Sequence, residues 1–545
     1  MRVDAFGVKG LQRQLSDRLL PLTGRRSGPE RHRALAATIE WSYGLLSERE
    51  AQVLRAVSAF AGSFTTEGAA AVAEVSGDDA TEALTQLTTK SLLSIDINED
   101  NVAYRLLETT RAFCIDHLRQ DASHNAVLQR HAQYVYQLLN RATRAWAQRP
   151  DKKLAENYDR ALSDLYGAIL SSTKISQALV FQAMEAMRRA VEIAASIGDI
   201  ESQLRSLRIL GVYELFVGEP RSALATLKKF STVVALHSPD SLAESESYLG
   251  TAELLLGRLE EARARLERLW EPGLRQIRDS SQATRAPSHV MTMFEYVLTH
   301  PRWLTGVPDA AVQLALTTIT HTSEFENTLF QNTALSYACP VLYWSGLYDE
   351  CRRYAAMLET HCEKYGFFQR RPIGAIYQAA VACLESDSGS EGIRVMQRSI
   401  EDLRAANHLA RMPYHLGLLA EALARQMKHE EAETIIDAAL DSVRVQGEAW
   451  CLPEVLRIRA LVLSGRQDDD GAEGTLLVAI QKAKDIGALS WELRAANDLA
   501  TLWMRQARAQ EAREMLEPIF GRFTEGYATR DLVHAAKLLR ELSPP

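Results

Sequence analysis

The chain of 545 residues lacks the features that define several large protein classes. No apolar run reaches the roughly 18–20 residues that cross a bilayer, and Arg2, Asp4 and Lys9 interrupt any signal-peptide pattern at the start. The six cysteines include no C-x-x-C pair, so we expect buried thiols in a reducing compartment. The net charge of −8 is small for this length and does not indicate a nucleic-acid or membrane partner. We therefore expect a cytoplasmic protein without a membrane partner.

The sequence also lacks a recognisable catalytic constellation. No G-x-x-x-x-G-K-[ST] motif occurs, so no glycine-rich loop with a lysine is present to hold phosphates. His361 and Cys362 are neighbours, and neighbours on a helix diverge by about 100°, so they do not face each other as a thiol–imidazole pair. His408, His415 and His429 are too far apart for a helical zinc motif. We predict that the protein is not an enzyme and uses no cofactor.

What the chain does contain is a repeat, clearest between Gly250 and Leu266. A small residue in one helix, Gly250, is followed by a turn at Gly257 and a small residue in a second helix, Ala262. The last position recurs at Ala223, Ala262, Ala311, Cys351, Gly392, Ala432, Ala472 and Ala512, in steps of 39, 49, 40, 41, 40, 40 and 40 residues. A step near 40 residues is typical of stacked helical hairpins. We predict close helix packing at these residues and at Gly211, Gly250, Gly257 and Gly346.

Residues 34–120 follow a different pattern. Helical periodicity covers 34–46, 48 to about 60, 65 to about 75 and 78–93, and the apolar segments 91–97 and 101–107 flank Asn-Glu-Asp. Ser47 and Glu50 are spaced as a capping box for the second helix. Successive helices followed by a two-stranded hairpin are the order of a winged helix. The predicted fold class is therefore mainly α, a winged-helix domain followed by a tetratricopeptide-like α-solenoid.

Several long strings in the chain resemble one protein family. They are P-E-R-H-R-A-L-A-A-T-I-E-W-S-Y-G-L-L-S-E-R-E (29–50), F-A-G-S-F-T (60–65), K-S-L-L (90–93), Y-R-L-L-E-T-T-R-A-F (104–113) and A-R-M-P-Y-H-L-G-L-L-A-E-A-L (410–423). These strings resemble the winged helix and repeat array of bacterial STAND-type (signal-transduction NTPase) transcriptional regulators. The resemblance implies that the chain is the rear part of such a regulator, without its P-loop module. Related switches often carry histidine where this chain has Leu107, so nucleotide sensing at that position is not expected.

The patterns divide the chain into four segments. Residues 1–33 are interpreted as a remnant of a preceding nucleotide-binding module or a linker, 34–120 as the winged helix, 121–200 as a helical connector and 201–545 as the repeat array. Residues 1–33 hold eight Arg and Lys against three Asp and Glu, whereas 34–120 hold six against thirteen. The first segment is thus basic and the winged helix acidic.

Two groups of residues are candidate partner contacts. They are Arg25, Arg26, Arg31, His32 and Arg33 in the basic lead, and Phe367, Phe368, Arg370 and Arg371 in the array. Tryptophan recurs near helix ends, at positions 303, 344, 450, 491 and 503. These tryptophans fit either packing between hairpins or a ligand groove on the concave face of the array.

The predicted function is regulatory. We expect the array to bind a protein or a small-molecule inducer, and the winged helix to relay this to an NTPase domain or subunit or a transcription-control module. DNA binding by this chain is not expected, because the candidate recognition helix over 78–93 offers Asp78, Asp79 and Glu82 against one cation, Lys90. The alternatives are a tetratricopeptide scaffold for protein–protein interaction and a winged-helix DNA-binding regulator.

Overall fold

A computed structural model describes most of the chain. The described residues are 38–60, 62–98, 101–148, 177–238, 241–279, 287–324, 328–365, 367–385 and 389–542. The chain divides into two compact units, Met1–Ile193 and Ala194–Pro545. The predicted basic contacts between Arg25 and Arg33 lie outside the described residues.

The first unit contains the winged helix. After a helical segment at 38–43 come α1 (Glu48–Val57), α2 (Thr66–Ala73), α3 (Gly77–Thr89), β1 (Leu93–Asn98), β2 (Asn101–Leu106), α4 (Glu108–Gln120), α5 (His124–Gln148) and α6 (Gln177–Ile197), which ends just past the division between the units. The strands pair antiparallel, with Leu93 opposite Leu106 and Asn98 opposite Asn101. This order of helices and hairpin confirms the predicted winged-helix fold.

Local side-chain chemistry sets the boundaries of these helices. The predicted capping box is confirmed: Ser47 Oγ accepts from Glu50 N at 3.3 Å, and the Glu50 carboxylate accepts from Ser47 N at 2.7 Å. Thr65 caps α2 in the same way by accepting from Gly68 N. The third helix ends at Thr89, short of the predicted residue 93. Ser91 adopts a left-handed backbone with φ of 59°, which turns the chain into β1.

Helix α5 packs against the winged helix, although its sequence was assigned to the connector. Tyr134 Oη lies 3.2 Å from Thr65 Oγ1, and Arg130 Nε donates to the Val72 carbonyl at 2.9 Å. The Tyr134 ring also fills the space beside Gly68, where an added Cβ would lie 3.0 Å from it. The predicted boundary at residue 120 therefore falls inside the first compact unit.

The second unit is an array of helical hairpins. Its pairs are α7 (Ile200–Phe216) with α8 (Pro220–His237), α9 (Leu242–Leu255) with α10 (Leu259–Asp279), α11 (Pro287–Leu304) with α12 (Pro308–Glu324), α13 (Thr328–Ser345) with α14 (Tyr348–Tyr365), α15 (Arg371–Glu385) with α16 (Ser390–Ala405), α17 (Met412–Arg425) with α18 (His429–Gln446), α19 (Leu452–Gly465) with α20 (Asp469–Asp485) and α21 (Leu489–Arg505) with α22 (Ala509–Phe520), before a last helix α23 (Arg530–Glu541). The solenoid part of the predicted fold class is confirmed.

Small residues lie where the two helices of a hairpin approach each other. The fourth residue of a second helix is small and buried at Ala223, Ala262, Ala311, Cys351, Ala432, Ala472 and Ala512. On the first helices, an added Cβ at Gly211 would lie 2.6 Å from the Leu227 side chain, and one at Gly250 would lie 3.0 Å from Leu266. A larger residue at these glycines must push the paired helix away.

The array also closes on itself through contacts between residues far apart in the chain. Carbonyl oxygens at the ends of four first helices accept hydrogen bonds from later residues: Phe216 from Leu409 N at 3.0 Å, Leu255 from Ala449 N at 2.9 Å, Trp303 from Ser490 Oγ at 2.5 Å and Trp344 from Arg494 Nη2 at 3.2 Å. We call this line of contacts the seam. A linear stack held only by nearest neighbours would contain none of these bonds.

The seam decides which hairpin turns require glycine. The turns at Gly218, Gly257, Gly306 and Gly346 all have a left-handed backbone and lie against residues across the seam. At Gly306, an added Cβ would lie 2.6 Å from Leu489 Cδ2. Three later turns adopt the same backbone with side chains present, at Met427, Gln467 and Ala507, and all three are exposed. A Cβ fits at these exposed turns because it points into solvent, whereas at the four glycine turns it would meet residues across the seam.

We predict opposite effects for two substitutions at equivalent turns. Gly306→Ala should lower the free energy of unfolding by about 2 kcal/mol or more, because the left-handed backbone costs about 1–2 kcal/mol and overpacking against Leu489 adds to it. Ala507→Gly should be neutral or stabilise by up to about 1 kcal/mol, since it only relieves the backbone. Urea unfolding of both variants measures this. Equal losses would contradict the seam at Gly306.

Candidate functional site

Four tryptophans fill the interior of the array. Trp303, Trp344, Trp450 and Trp491 are at most 2% exposed, and they come from both sides of the seam. Ring centroids of Trp344 lie 5.0 Å from Trp303, 5.4 Å from Trp491 and 5.9 Å from Trp450. The packing interpretation is confirmed for these four residues, and the aromatic-groove alternative is wrong for them because other aromatic rings occupy that space.

The polar atoms of this aromatic cluster are satisfied within the protein. Trp344 Nε1 donates to Tyr414 Oη at 2.6 Å, and Trp303 Nε1 donates to Ser345 Oγ at 3.0 Å. Trp491 Nε1 donates to the carbonyl of Trp450 at 3.2 Å. These indole groups are therefore not available to orient a ligand.

A network of ion pairs runs beside the aromatic cluster, along the first helices α17, α19 and α21 and the last helix α23. Arg457 bonds Glu421 at 3.1 Å and Glu454 at 2.8 Å. Arg494 bonds Glu454 at 2.9 Å and Asp531 at 2.7 Å. Burial alone would raise the pKa of Glu421, but the Arg457 and Arg425 guanidinium groups hold it well below its ordinary value. Opposite charges satisfy each other, so the network joins successive hairpins.

Glu448 is a buried carboxyl group at the seam with no counterpart in the sequence analysis. Its oxygens accept from Arg411 N at 2.8 and 3.1 Å and from Trp450 Nε1 at 3.2 Å. Burial raises its pKa to about 7, against the lowering effect of those hydrogen bonds. The Arg411 guanidinium lies over the Tyr337 ring, 4.1 Å from its centroid. The protonation of Glu448 therefore changes near neutral pH.

The predicted contact residues after α14 lie close together and interact with neighbouring helices. The Phe367 ring stacks on His361, with centroids 6.0 Å apart. Arg370 Nη1 donates to Thr333 Oγ1 at 2.6 Å, and the exposed Arg371 pairs with Glu363 at 3.2 Å. Phe368 is half-buried. This group remains a predicted partner contact, of which Arg371 is the exposed member.

The outward face of α3 is acidic and rich in threonine. Its exposed side chains include Asp78, Thr81, Glu82 and Thr85. Lys90, the cation at its end, donates to both Glu50 oxygens at 2.6 Å. Other cations of the unit also pair internally: Arg49 with Asp79, Arg55 with Glu48 and Asp121, and Arg119 with Asp116. Among the described residues of this surface, few positive charges remain to contact a phosphate backbone.

The six cysteines occupy packing positions in the protein interior. All six cysteines are buried and free. Asn332 Nδ2 donates to Cys362 Sγ at 3.0 Å, and burial raises the pKa of that thiol to about 11, which keeps it protonated at neutral pH. Over the described ranges, no group of three or more His, Cys, Asp or Glu side chains is arranged to hold a metal ion. None of the helices described has the length and apolar character needed to cross a membrane.

The sequence matches each cover about a quarter of the chain or less. A family model described as a winged helix-turn-helix domain matches residues 46–119. A Mycobacterium tuberculosis protein named as a candidate HTH-type transcriptional regulator is 37% identical over 114 residues, which are 20% of this chain and 13% of that protein. An uncharacterized M. tuberculosis protein is 29% identical over 141 residues, 25% of this chain. The latter match spans about a third (36%) of that relative's length.

Two solved structures align with this chain. A STAND protein with a tetratricopeptide repeat sensor from Pyrococcus horikoshii aligns with 91% of this chain and 68% of its own, at 14% identity and a TM-score of 0.36. A Rap protein complexed with Competence and Sporulation Factor aligns with 65% of this chain and 99% of its own, at 11% identity and a TM-score of 0.44. At these sequence identities and TM-scores, the alignments carry no argument about function. The winged helix, followed by a tetratricopeptide-like array, defines the class of the protein.

We predict that Glu448→Gln removes one pH-dependent component of stability. The raised pKa means that the folded chain holds this proton more tightly than the unfolded chain does. The stability contributed by Glu448 is then fully present below about pH 4.5 and lost as the pH rises through about 7. Relative to wild type, the variant should gain about 1–3 kcal/mol of unfolding free energy between about pH 5 and pH 8.

The matched control is Glu430→Gln on the exposed start of α18. Its difference from wild type should stay constant over the same pH range. A constant loss added to the pH-dependent gain is compatible with the account, because the amide nitrogen of Gln replaces an acceptor oxygen with a donor. A difference from wild type that does not change with pH would contradict a carboxyl titrating near neutrality.

Proposed function

We propose that the chain is a non-catalytic cytoplasmic regulator whose winged helix contacts protein rather than DNA. In this proposal the repeat array binds a protein or small inducer, and the winged helix relays occupancy to an NTPase or transcription-control module. The winged helix-turn-helix match over 46–119 and the relative named as a candidate regulator support a regulatory role. The sequence resembles the rear part of STAND-type regulators, without their P-loop module. This resemblance supports an NTPase as the effector module.

The observation that carries the proposal is the electrostatics of α3. Proteins that bind DNA obtain most of their non-specific affinity from Lys and Arg contacts to phosphates. Here the exposed side chains of α3 are Asp, Glu, Thr and Gln, and the adjacent Lys90 is held by Glu50. A surface of this composition repels a duplex and suits a partner with basic or hydroxyl-bearing side chains.

A second candidate, a DNA-binding regulator, is favoured by the winged helix-turn-helix match itself. Fluorescence anisotropy of the full chain with a random duplex at about 50 mM salt separates the two, because weak non-specific binding is visible there. We expect no micromolar binding. Micromolar binding that weakens steeply with salt and is lost in Thr85→Glu would overturn the proposal in favour of the DNA-binding regulator.

The chain offers a matched control for this experiment. Thr85 in α3 and Thr434 in α18 are both exposed, and each hydroxyl donates to the carbonyl four residues earlier in its helix. Thr434→Glu therefore makes the same chemical change away from the winged helix. Because the added carboxylate alters the size and charge of this face, crosslinking of a co-purified NTPase should change in Thr85→Glu and stay the same in Thr434→Glu. A partner insensitive to Thr85→Glu favours the scaffold alternative.

A further inference from the structure

A pocket of about 340 Å³ lies at the edge of the seam. Three segments far apart in the chain form it: the start of α8 (Arg221 and Leu224), the turn between α9 and α10 (Leu256 and Arg258) and the loop between α18 and α19 (Gly447 and Ala449). At one wall, the backbone N–H of Ala449 donates to the Leu255 carbonyl across the seam. The pocket therefore exists only when the array is closed.

Both arginines of this pocket are exposed and form no ion pair among the described residues. This distinguishes them from Arg265 of the same hairpin pair, which bonds Glu246 and Glu253, and from Arg302, which bonds Glu267. Glu448, which lies between the lining residues Gly447 and Ala449, accepts instead from Arg411 N and Trp450 Nε1. Among the described residues, no carboxylate therefore forms a salt bridge with either of the two guanidinium groups.

The guanidinium group of Arg221 is also positioned by its surroundings. It lies against Gly447, where an added Cβ would be 2.7 Å from Arg221 Nε. Gly447 has a φ of 81°, so glycine suits both the backbone conformation and the close approach. Arginine presents several N–H donors in a planar fork that matches carboxylate and phosphate oxygens. The remaining wall, formed by Leu224, Leu256 and Ala449, is apolar.

From these features we propose that the pocket binds a small organic anion. Its carboxylate or phosphate group is held between Arg221 and Arg258, and its apolar body lies against Leu224, Leu256 and Ala449. Because the walls come from both sides of the seam, the ligand binds the closed array and stabilises it by mass action. This deepens the proposed function by naming a ligand class for the array, and it rests on that function only for its regulatory meaning.

The test uses the full chain with three probes of similar size: phenyl phosphate, phenylacetate and the neutral phenylacetamide. Calorimetry measures affinity, and thermal unfolding measures stabilisation. We expect at least one anion to bind and raise the Tm at about 10 mM or below, whereas the amide does neither. The better of the two anions identifies the preferred acidic group. Absence of binding by both anions, or equal binding of the amide, would overturn the proposal.

Substitutions of the two arginines test whether the anion binds in this pocket. The double substitution Arg221→Gln with Arg258→Gln should weaken the anion by about tenfold or more, equivalent to two lost charge-assisted contacts. Arg398→Gln is the control, because Arg398 is exposed, has no ion pair among the described residues and lies outside the pocket. An unchanged affinity in the double variant, or an equal loss in Arg398→Gln, would show that the anion binds elsewhere.

A second double variant covers the case in which the double glutamine variant does not fold. Arg221→Lys with Arg258→Lys keeps both charges but loses the planar fork, so we expect partial weakening. Affinity retained in full by the lysine variant would contradict recognition by the guanidinium groups. Anion binding and DNA binding are measured separately, so failure of this site leaves the regulatory proposal standing, and the converse also holds.

Discussion

The packing of first helices across the seam is the constraint on which the rest of the array depends. Hairpin stacking alone would give an open solenoid whose stability is a sum over neighbours. Here Trp303 and Trp344 pack on Trp450 and Trp491, and main-chain carbonyls of the early hairpins accept hydrogen bonds from the late ones. The early and late hairpins therefore complete one another's core, and the second unit behaves as one body.

Closure changes where ligands can bind. The concave face of an open array is the usual binding surface of helical repeats. In this array, buried aromatic rings and paired charges such as Arg457 with Glu454 fill the interior. We therefore expect a binding site at the margins of the seam. The pocket between Arg221 and Arg258 is one such margin, and the carboxyl of Glu448 lies in the loop that forms its wall. The proposed ligand and the protonation of Glu448 would thus act on the same loop of the seam.

Local patterns predicted the elements well, because their causes are local. The capping box of Ser47, the hairpin of the wing and the step near 40 residues all follow from short-range chemistry or periodicity. The seam could not be predicted in this way, since Trp303 and Ser490 are 187 positions apart. One trace was present: turns that face the seam carry glycine, whereas Met427, Gln467 and Ala507 occupy the same conformation at exposed turns. Glu448, Arg221 and Arg258 follow no periodic pattern in the sequence, so their roles could not be predicted from it.

Hydrogen exchange after Trp491→Ala tests closure most directly. If the array is closed, amide exchange should accelerate in α11 and α13, which Trp491 contacts through Trp303 and Trp344. Trp503→Ala is the control, because Trp503 lies in the same helix but packs in a cluster confined to the late hairpins. Its effect should stay within residues 452–541, with the first unit as an unchanged reference for both variants. Acceleration in Trp491→Ala confined to the same late hairpins would contradict closure.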